Sequence, residues 1–137
     1  MTIDDCRIIE LSRIHRPEGS LTAVEANRDV PFRIARVYYL YDVPSGASRG
    51  GHAHKYVEQL IVSATGSFAV VVDDGSARRA IRLDRAYFGL YVPRLIWREL
   101  QDFSTGAVCL VLASDPFSEM DYLRDYDEYV AARRGAR

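Results

Sequence analysis

Phe68-Ala69-Val70-Val71-Val72-Asp73-Asp74-Gly75-Ser76-Ala77-Arg78-Arg79-Ala80-Ile81-Arg82-Leu83 consists of two short runs on either side of Asp74-Gly75. β-branched residues fit a pleated, half-buried surface, and Asp-Gly supplies the positive φ of a tight turn, so the stretch reads as a β-hairpin. The same texture extends in both directions. Strands are predicted near Cys6 to Ile9, Leu21 to Glu25, Arg33 to Tyr41, Tyr56 to Ala64, Ser67 to Asp73, Arg79 to Leu83, Tyr87 to Val92, Trp97 to Phe103 and Ala107 to Ala113. Pro44-Ser45-Gly46 and Asp84-Arg85 mark turns between them. Only from Ser118 does the period change: Met120, Leu123, Tyr126 and Val130 recur at helical spacing, with Ser118 and Asp121 as an N-terminal cap. The ending Arg133-Arg134-Gly135-Ala136-Arg137 reads as a solvated, frayed tail. About nine short strands and one terminal helix predict an all-β antiparallel sandwich or barrel, with a jelly roll the economical arrangement.

The 137 residues, of which 48% are hydrophobic and 27% charged, predict one soluble globular domain spanning 1–137. A formal net charge of -1 gives no bulk attraction to nucleic acid or an acidic membrane, so an anionic ligand must be held by locally placed arginines. The first residues, Met1-Thr2-Ile3-Asp4-Asp5-Cys6, carry no basic segment followed by an apolar one, and no apolar run is long enough to span a membrane. A cytoplasmic location is expected. Cys6 and Cys109 fall in apolar strand runs and are expected to be buried free thiols.

The densest chemical signal is Arg49-Gly50-Gly51-His52-Ala53-His54-Lys55, which holds two of the three histidines. Histidines two apart on a strand project to one face, so both imidazoles reach one ligand. The metal-binding cupin pattern G-x5-H-x-H-x4-E-x6-G fits Gly46, His52, His54 and Gly66, but the glutamate position is Gln59. In the second cupin half, P-x-G-x2-H, the histidine position is Arg98. A neutral amide binds transition metals poorly and a guanidinium stays protonated, so no metal and no other cofactor is expected. Arg98 instead supplies fixed positive charge where related barrels hold an ion. Two imidazoles and a guanidinium suit enolisation beside a carbonyl: an imidazole takes a proton, and Arg98, Tyr38 or the second imidazole steadies the enolate.

The blocks Pro31 to Tyr39, Arg49 to Lys55, Gly89-Leu90-Tyr91-Val92-Pro93, Trp97-Arg98-Glu99, Leu112-Ala113-Ser114 and Asp121 to Tyr126 together resemble the dTDP-4-keto-6-deoxyglucose 3,4-ketoisomerases, the WxcM-like sugar isomerases. The resemblance implies a cupin-type double-stranded β-helix with a short C-terminal helix. It also implies an enzyme of deoxyamino-sugar biosynthesis that moves a ketone from C4 to C3 of a dTDP-linked hexose. Carried over, the two active-site histidines fall on His52 and His54, with His52 the main proton shuttle. Arg36, Tyr38, Arg49, Trp97 and Arg98 would face nucleotide or sugar, with an arginine fork for the pyrophosphate. Relatives often carry an arginine where this chain has Glu18, which changes hydrogen bonding around the sugar. A homodimer that exchanges N-terminal strands and covers Tyr39 and Tyr41 is implied as well.

Three other readings remain open on the residues. One is a metal-dependent cupin oxygenase using His52, His54 and Glu58. Another is a non-catalytic module that binds a sugar nucleotide, and the third is a cupin epimerase, which inverts carbon centres without moving the carbonyl.

Overall fold

The computed structural model describes residues 1–135. In chain order its strands are β1 (Arg7–Glu10), β2 (Ile14–Arg16), β3 (Gly19–Leu21), β4 (Arg36–Leu40), β5 (Arg49–His54) and β6 (Gln59–Thr65). They continue as β7 (Phe68–Asp73), β8 (Arg78–Leu83), β9 (Phe88–Val92), β10 (Trp97–Gln101), β11 (Val108–Ala113) and β12 (Tyr122–Leu123), followed by helix α1 (Tyr126–Gly135). Two five-stranded antiparallel sheets, ordered β1-β9-β6-β11-β4 and β12-β5-β10-β7-β8, face each other as a jelly roll, and β2 and β3 form a separate hairpin.

Alternation along the strands builds three packed layers. Ile61, Phe68, Val70, Val72, Leu90, Val92, Cys109 and Val111 meet between the sheets. Their neighbours Leu60, Val62, Tyr91 and Leu112 point to the other side of the first sheet, where Leu11, Val30 and Phe32 cover them. This second cover explains why β6 reads as a continuous apolar run instead of an alternating one. On the far side of the second sheet, Ala53, Leu95, Trp97 and Leu123 receive Tyr129 of α1.

The predicted hairpin forms with a longer turn than a two-residue one. Asp73 pairs with Arg78, Gly75 takes φ +88°, and Asp74 Oδ1 accepts from the Ser76 and Ala77 backbone N–H groups. The N-terminal strand expected at Leu21 to Glu25 is displaced: the exposed β2-β3 hairpin ends at Leu21. Arg49-Gly50-Gly51 forms the start of β5 without any apolar alternation to mark it.

The helix expected from Ser118 begins at Tyr126, because Glu119–Asp121 is a single 3-10 turn and Tyr122–Leu123 pairs with β5. Ser118 makes no side-chain cap, while Asp125 Oδ1 accepts from the Glu128 N–H inside the true first turn. The stretch expected to be a frayed tail from Arg133 is helical through Gly135. Arg133 belongs to α1 and donates to the carbonyls of Asp74 (3.0 Å) and Met1 (2.6 Å); Ala136 and Arg137 lie outside the described residues. Cys6 and Cys109 are buried free thiols, and burial raises them to about 11 and about 12. No helix among the described residues is long and apolar enough to cross a membrane.

Candidate active site

β5 crosses the second sheet between β12 and β10, with His54 opposite Tyr122 and His52 opposite Arg98. These pairings gather His52, Arg98 and Tyr122 on one face of the sheet, where they line a cavity of about 330 Å³ with Tyr38, Gln59, Arg49 and Arg124. Strand alternation explains the selection. From β4 the residues Tyr38 and Leu40 face inward while Val37 and Tyr39 face out, and on β10 Arg98 faces the cavity while Trp97 and Glu99 point away.

The two imidazoles meet edge to face, with centroids 4.9 Å apart. His54 Nδ1 lies 2.5 Å from Asp121 Oδ2, and the other carboxylate oxygen accepts from the Tyr56 N–H at 2.9 Å. A carboxylate only accepts, so His54 carries its proton on Nδ1 and leaves Nε2 as a lone-pair acceptor. Neither imidazole Nε2 has a protein hydrogen-bond partner among the described residues. His54 therefore presents Nε2 as a bare acceptor, and Nε2 of His52 lies beside it without a partner among the described residues.

Arg98 is 2% exposed and forms no salt bridge among the described residues. Its Nη1 donates to Gln59 Oε1 at 2.7 Å and Nη2 to the Ile96 carbonyl at 2.9 Å, while Nε is buried and unpartnered among the described residues. Burial lowers the guanidinium pKa from its ordinary value. An arginine nevertheless remains protonated, so the cavity floor holds a buried cation that makes no ion pair among the described residues. Burial first, and Arg98 second, depress His52 to about 3. The same two causes lower His54, with Arg36 and Arg124 adding to them. Near neutral pH both imidazoles are uncharged bases.

Among the predicted site residues, the cavity lining joins His52, Tyr38, Arg49 and Arg98. His54 stands just behind His52, 1% exposed. Arg36 stacks on the ring of Tyr38 at 4.5 Å and on Phe117 at 5.2 Å. Trp97 stands on the opposite face of the sheet, where Nε1 donates to Glu99 and the indole meets Tyr126 and Tyr129 of α1. Glu18 sits in the turn of the exposed β2-β3 hairpin, outside the cavity lining. Glu58 is held by the Tyr91 hydroxyl (2.5 Å), and among the described residues no group of three or more His, Cys, Asp or Glu is placed to hold a metal.

Sequence reasoning missed Asp121, which it assigned to a helix cap, and gave no role to Tyr122 or Arg124. The Tyr122 ring lies 5.2 Å from His52 and 4.6 Å from His54, and Arg124 covers its outer face at 4.2 Å. Their available signal was the Asp121 to Tyr126 block, whose conspicuous feature was its aromatic periodicity.

A protein-family model described as FdtA, WxcM-like, C-terminal, matches residues 4–134. The chain belongs to the FdtA, WxcM-like family. A curated relative of this FdtA-type chain is the TDP-4-oxo-6-deoxy-alpha-D-glucose-3,4-oxoisomerase of Aneurinibacillus thermoaerophilus, 45% identical over 90% of this chain and 88% of the relative. Among solved structures, the WlaRB TDP-quinovose 3,4-ketoisomerase of Campylobacter jejuni is 43% identical, covers 94% of this chain and 99% of its own, and superposes with a TM-score of 0.90. A histidine-to-asparagine mutant of the QdtA 3,4-ketoisomerase of Thermoanaerobacterium thermosaccharolyticum, crystallised with TDP-4-keto-6-deoxyglucose, is 36% identical. It covers 95% of this chain and 94% of its own, with a TM-score of 0.92. The FdtA-type chain is thus an isomerase built on the cupin fold.

Proposed function

We propose that this chain, as one catalytic domain over residues 1–137, converts dTDP-4-keto-6-deoxyglucose into a dTDP-3-keto-6-deoxyhexose, with His52 carrying a proton from C3 to C4 through an enediol. The supporting observation is that Nε2 of both imidazoles has no protein hydrogen-bond partner among the described residues while the guanidinium of Arg98 is buried beside them. Nε2 of His52 removes the C3 hydrogen, and the electron pair moves into the C3–C4 bond as O4 gains charge. Arg98 and Tyr38 stabilise that oxygen, which then takes a proton to give the enediol. Loss of the O3 proton and return of a proton to C4 place the ketone at C3, so the product is an isomer and no redox partner is consumed.

Charge balance makes the weak base workable. Arg98 repels a proton on His52 in the empty cavity, but the anionic oxygen that forms during the step offsets that repulsion. His54, oriented by Asp121, is the second acceptor, and the proton it takes from O3 is the one that O4 gains. At the mouth, Arg49 and Arg124 bind the pyrophosphate, and Arg36 with Tyr38 borders the nucleoside. Gln59 and Arg98 occupy two positions of the metal-binding cupin pattern, and an amide and a guanidinium favour chemistry without a metal. Trp97 supports β5 from the opposite face.

A homodimer that exchanges N-terminal strands is part of the proposal. Val37, Tyr39 and Tyr41 are more than half exposed on or just beyond edge strand β4, and Ile14 and Leu21 are exposed on the β2-β3 hairpin. The same exchange is the route by which Glu18 comes to a sugar. Sedimentation equilibrium checks the dimer, with a monomer at micromolar concentration counting against it.

Incubation with dTDP-4-keto-6-deoxyglucose in D2O, followed by proton NMR, tests the reaction. A 3-keto product is expected, with deuterium at C4 to the extent that the proton held on His52 exchanges with solvent before it is returned. Tight dTDP binding without exchange would identify a binding module, and a C5 epimer that keeps its 4-ketone would identify an epimerase.

A further inference from the structure

Gln59 is 1% exposed and lies between Arg98 and Tyr38. A guanidinium has only donors, so the amide must turn Oε1 toward Arg98, as the 2.7 Å contact shows. Its NH2 group is then committed to the other side, where it lies 3.2 Å from the Tyr38 hydroxyl oxygen. That oxygen can only accept from an NH2 group. The phenolic proton must therefore point elsewhere, and Tyr38 lines the cavity.

We propose that Gln59 is a positioning residue that turns the Tyr38 hydroxyl proton into the cavity, so that Tyr38 meets the substrate oxygen as a donor. Each link runs one way: Arg98 donates to Gln59, Gln59 to Tyr38, and Tyr38 to the oxygen that gains charge. Aligned donors polarise one another, so the chain carries part of the pull of the buried cation to an atom that Arg98 need not touch. A glutamate at position 59 would accept from both neighbours, and the Tyr38 proton would then turn away from the substrate. Burial raises Tyr38 above the ordinary phenol pKa, which keeps that proton in place at neutral pH. The kinetic part of this inference rests on the proposed ketoisomerase reaction; the direction of the hydroxyl does not.

The test uses the full chain with Tyr38→Phe, Gln59→Met, Gln59→Glu and the Tyr38→Phe/Gln59→Met double variant. Gln59→Met is expected to lower kcat about tenfold while KM stays within about threefold, and to add less than about twofold to the loss in Tyr38→Phe. Protein labelled with 13Cζ-tyrosine gives a second readout without substrate. The Tyr38 resonance, assigned by its loss in Tyr38→Phe, is expected to move in Gln59→Met while the other tyrosines stay. Losses that multiply independently, or an unmoved Tyr38 resonance, overturn the inference. Should wild type fail to turn over the substrate, the reaction assignment fails alone and the resonance decides on Gln59. If Gln59→Met does not fold, Gln59→Glu carries the same measurements.

Discussion

Asp121 Oδ2 holds Nδ1 of His54 at 2.5 Å while its second oxygen holds the Tyr56 N–H, so one carboxylate serves two donors inside a sealed environment. An asparagine there has one acceptor and one donor for the same two N–H groups. Asp121→Asn is therefore predicted to cost about 1–3 kcal/mol of stability, the range for a buried polar conflict. If its NH2 turns to His54, the imidazole proton moves to Nε2. Urea denaturation and 15N NMR of the histidine tautomer check both outcomes; unchanged stability with an Nδ1–H ring would contradict them.

His52→Asn keeps a polar side chain of similar reach but no base. Turnover should fall about 10²–10⁴-fold, the usual contribution of a positioned general base. Affinity for dTDP, measured by calorimetry, should stay within about threefold, since the arginines at the mouth are untouched. Turnover close to wild type would remove His52 from the proton path.

Stability should fall as pH drops below about 6.5, the ordinary imidazole value. Folded His52 titrates at about 3, so between these limits the unfolded chain binds the extra proton and acid favours unfolding. The stabilisation is complete above about pH 6.5 and is lost progressively down to the folded pKa, at about 1.4 kcal/mol per pH unit for a single group. Thermal melts of wild type and His52→Asn from pH 7.5 to 5 should show a shallower decline in the variant. Parallel curves would mean that His52 is not depressed.

Gly51 passes directly over Trp97, and a Cβ at residue 51 would collide with the indole ring. Gly51→Ala is predicted to cost about 1–3 kcal/mol through overpacking. Adding Trp97→Leu should recover part of that loss, because the two substitutions meet at one contact. A denaturant double-mutant cycle measures the coupling, and strict additivity would place the strain elsewhere.

Much of the architecture could be read locally. The β7-β8 hairpin and most strands with apolar alternation are set by neighbours within a few residues and appear within a residue or two of their expected limits, while β4 and β6 begin three residues late. His52 and Arg98 were legible as replacements within a spaced pattern, although their pairing across β5 and β10 was not. Asp121 was illegible for a physical reason: it lies 67 positions from His54, and only the return of the chain through β12 joins them. The periodicity of Met120, Leu123 and Tyr126 imitated a helix, but the three fall in separate elements and only Leu123 is buried. Met120 is 82% exposed, which removes the first member of that series.

Leu95 has a left-handed backbone (φ +59°) in a turn where its N–H donates to the His54 carbonyl at 2.7 Å. Its own carbonyl lies 2.9 Å from the Tyr129 hydroxyl of α1. A single residue thus fastens the end of the histidine strand on one side and the terminal helix on the other. Amide protons of that helix and of Leu95 should exchange with solvent as one cooperative unit, so that undocking of the chain's end and loosening of the proton relay are the same opening event.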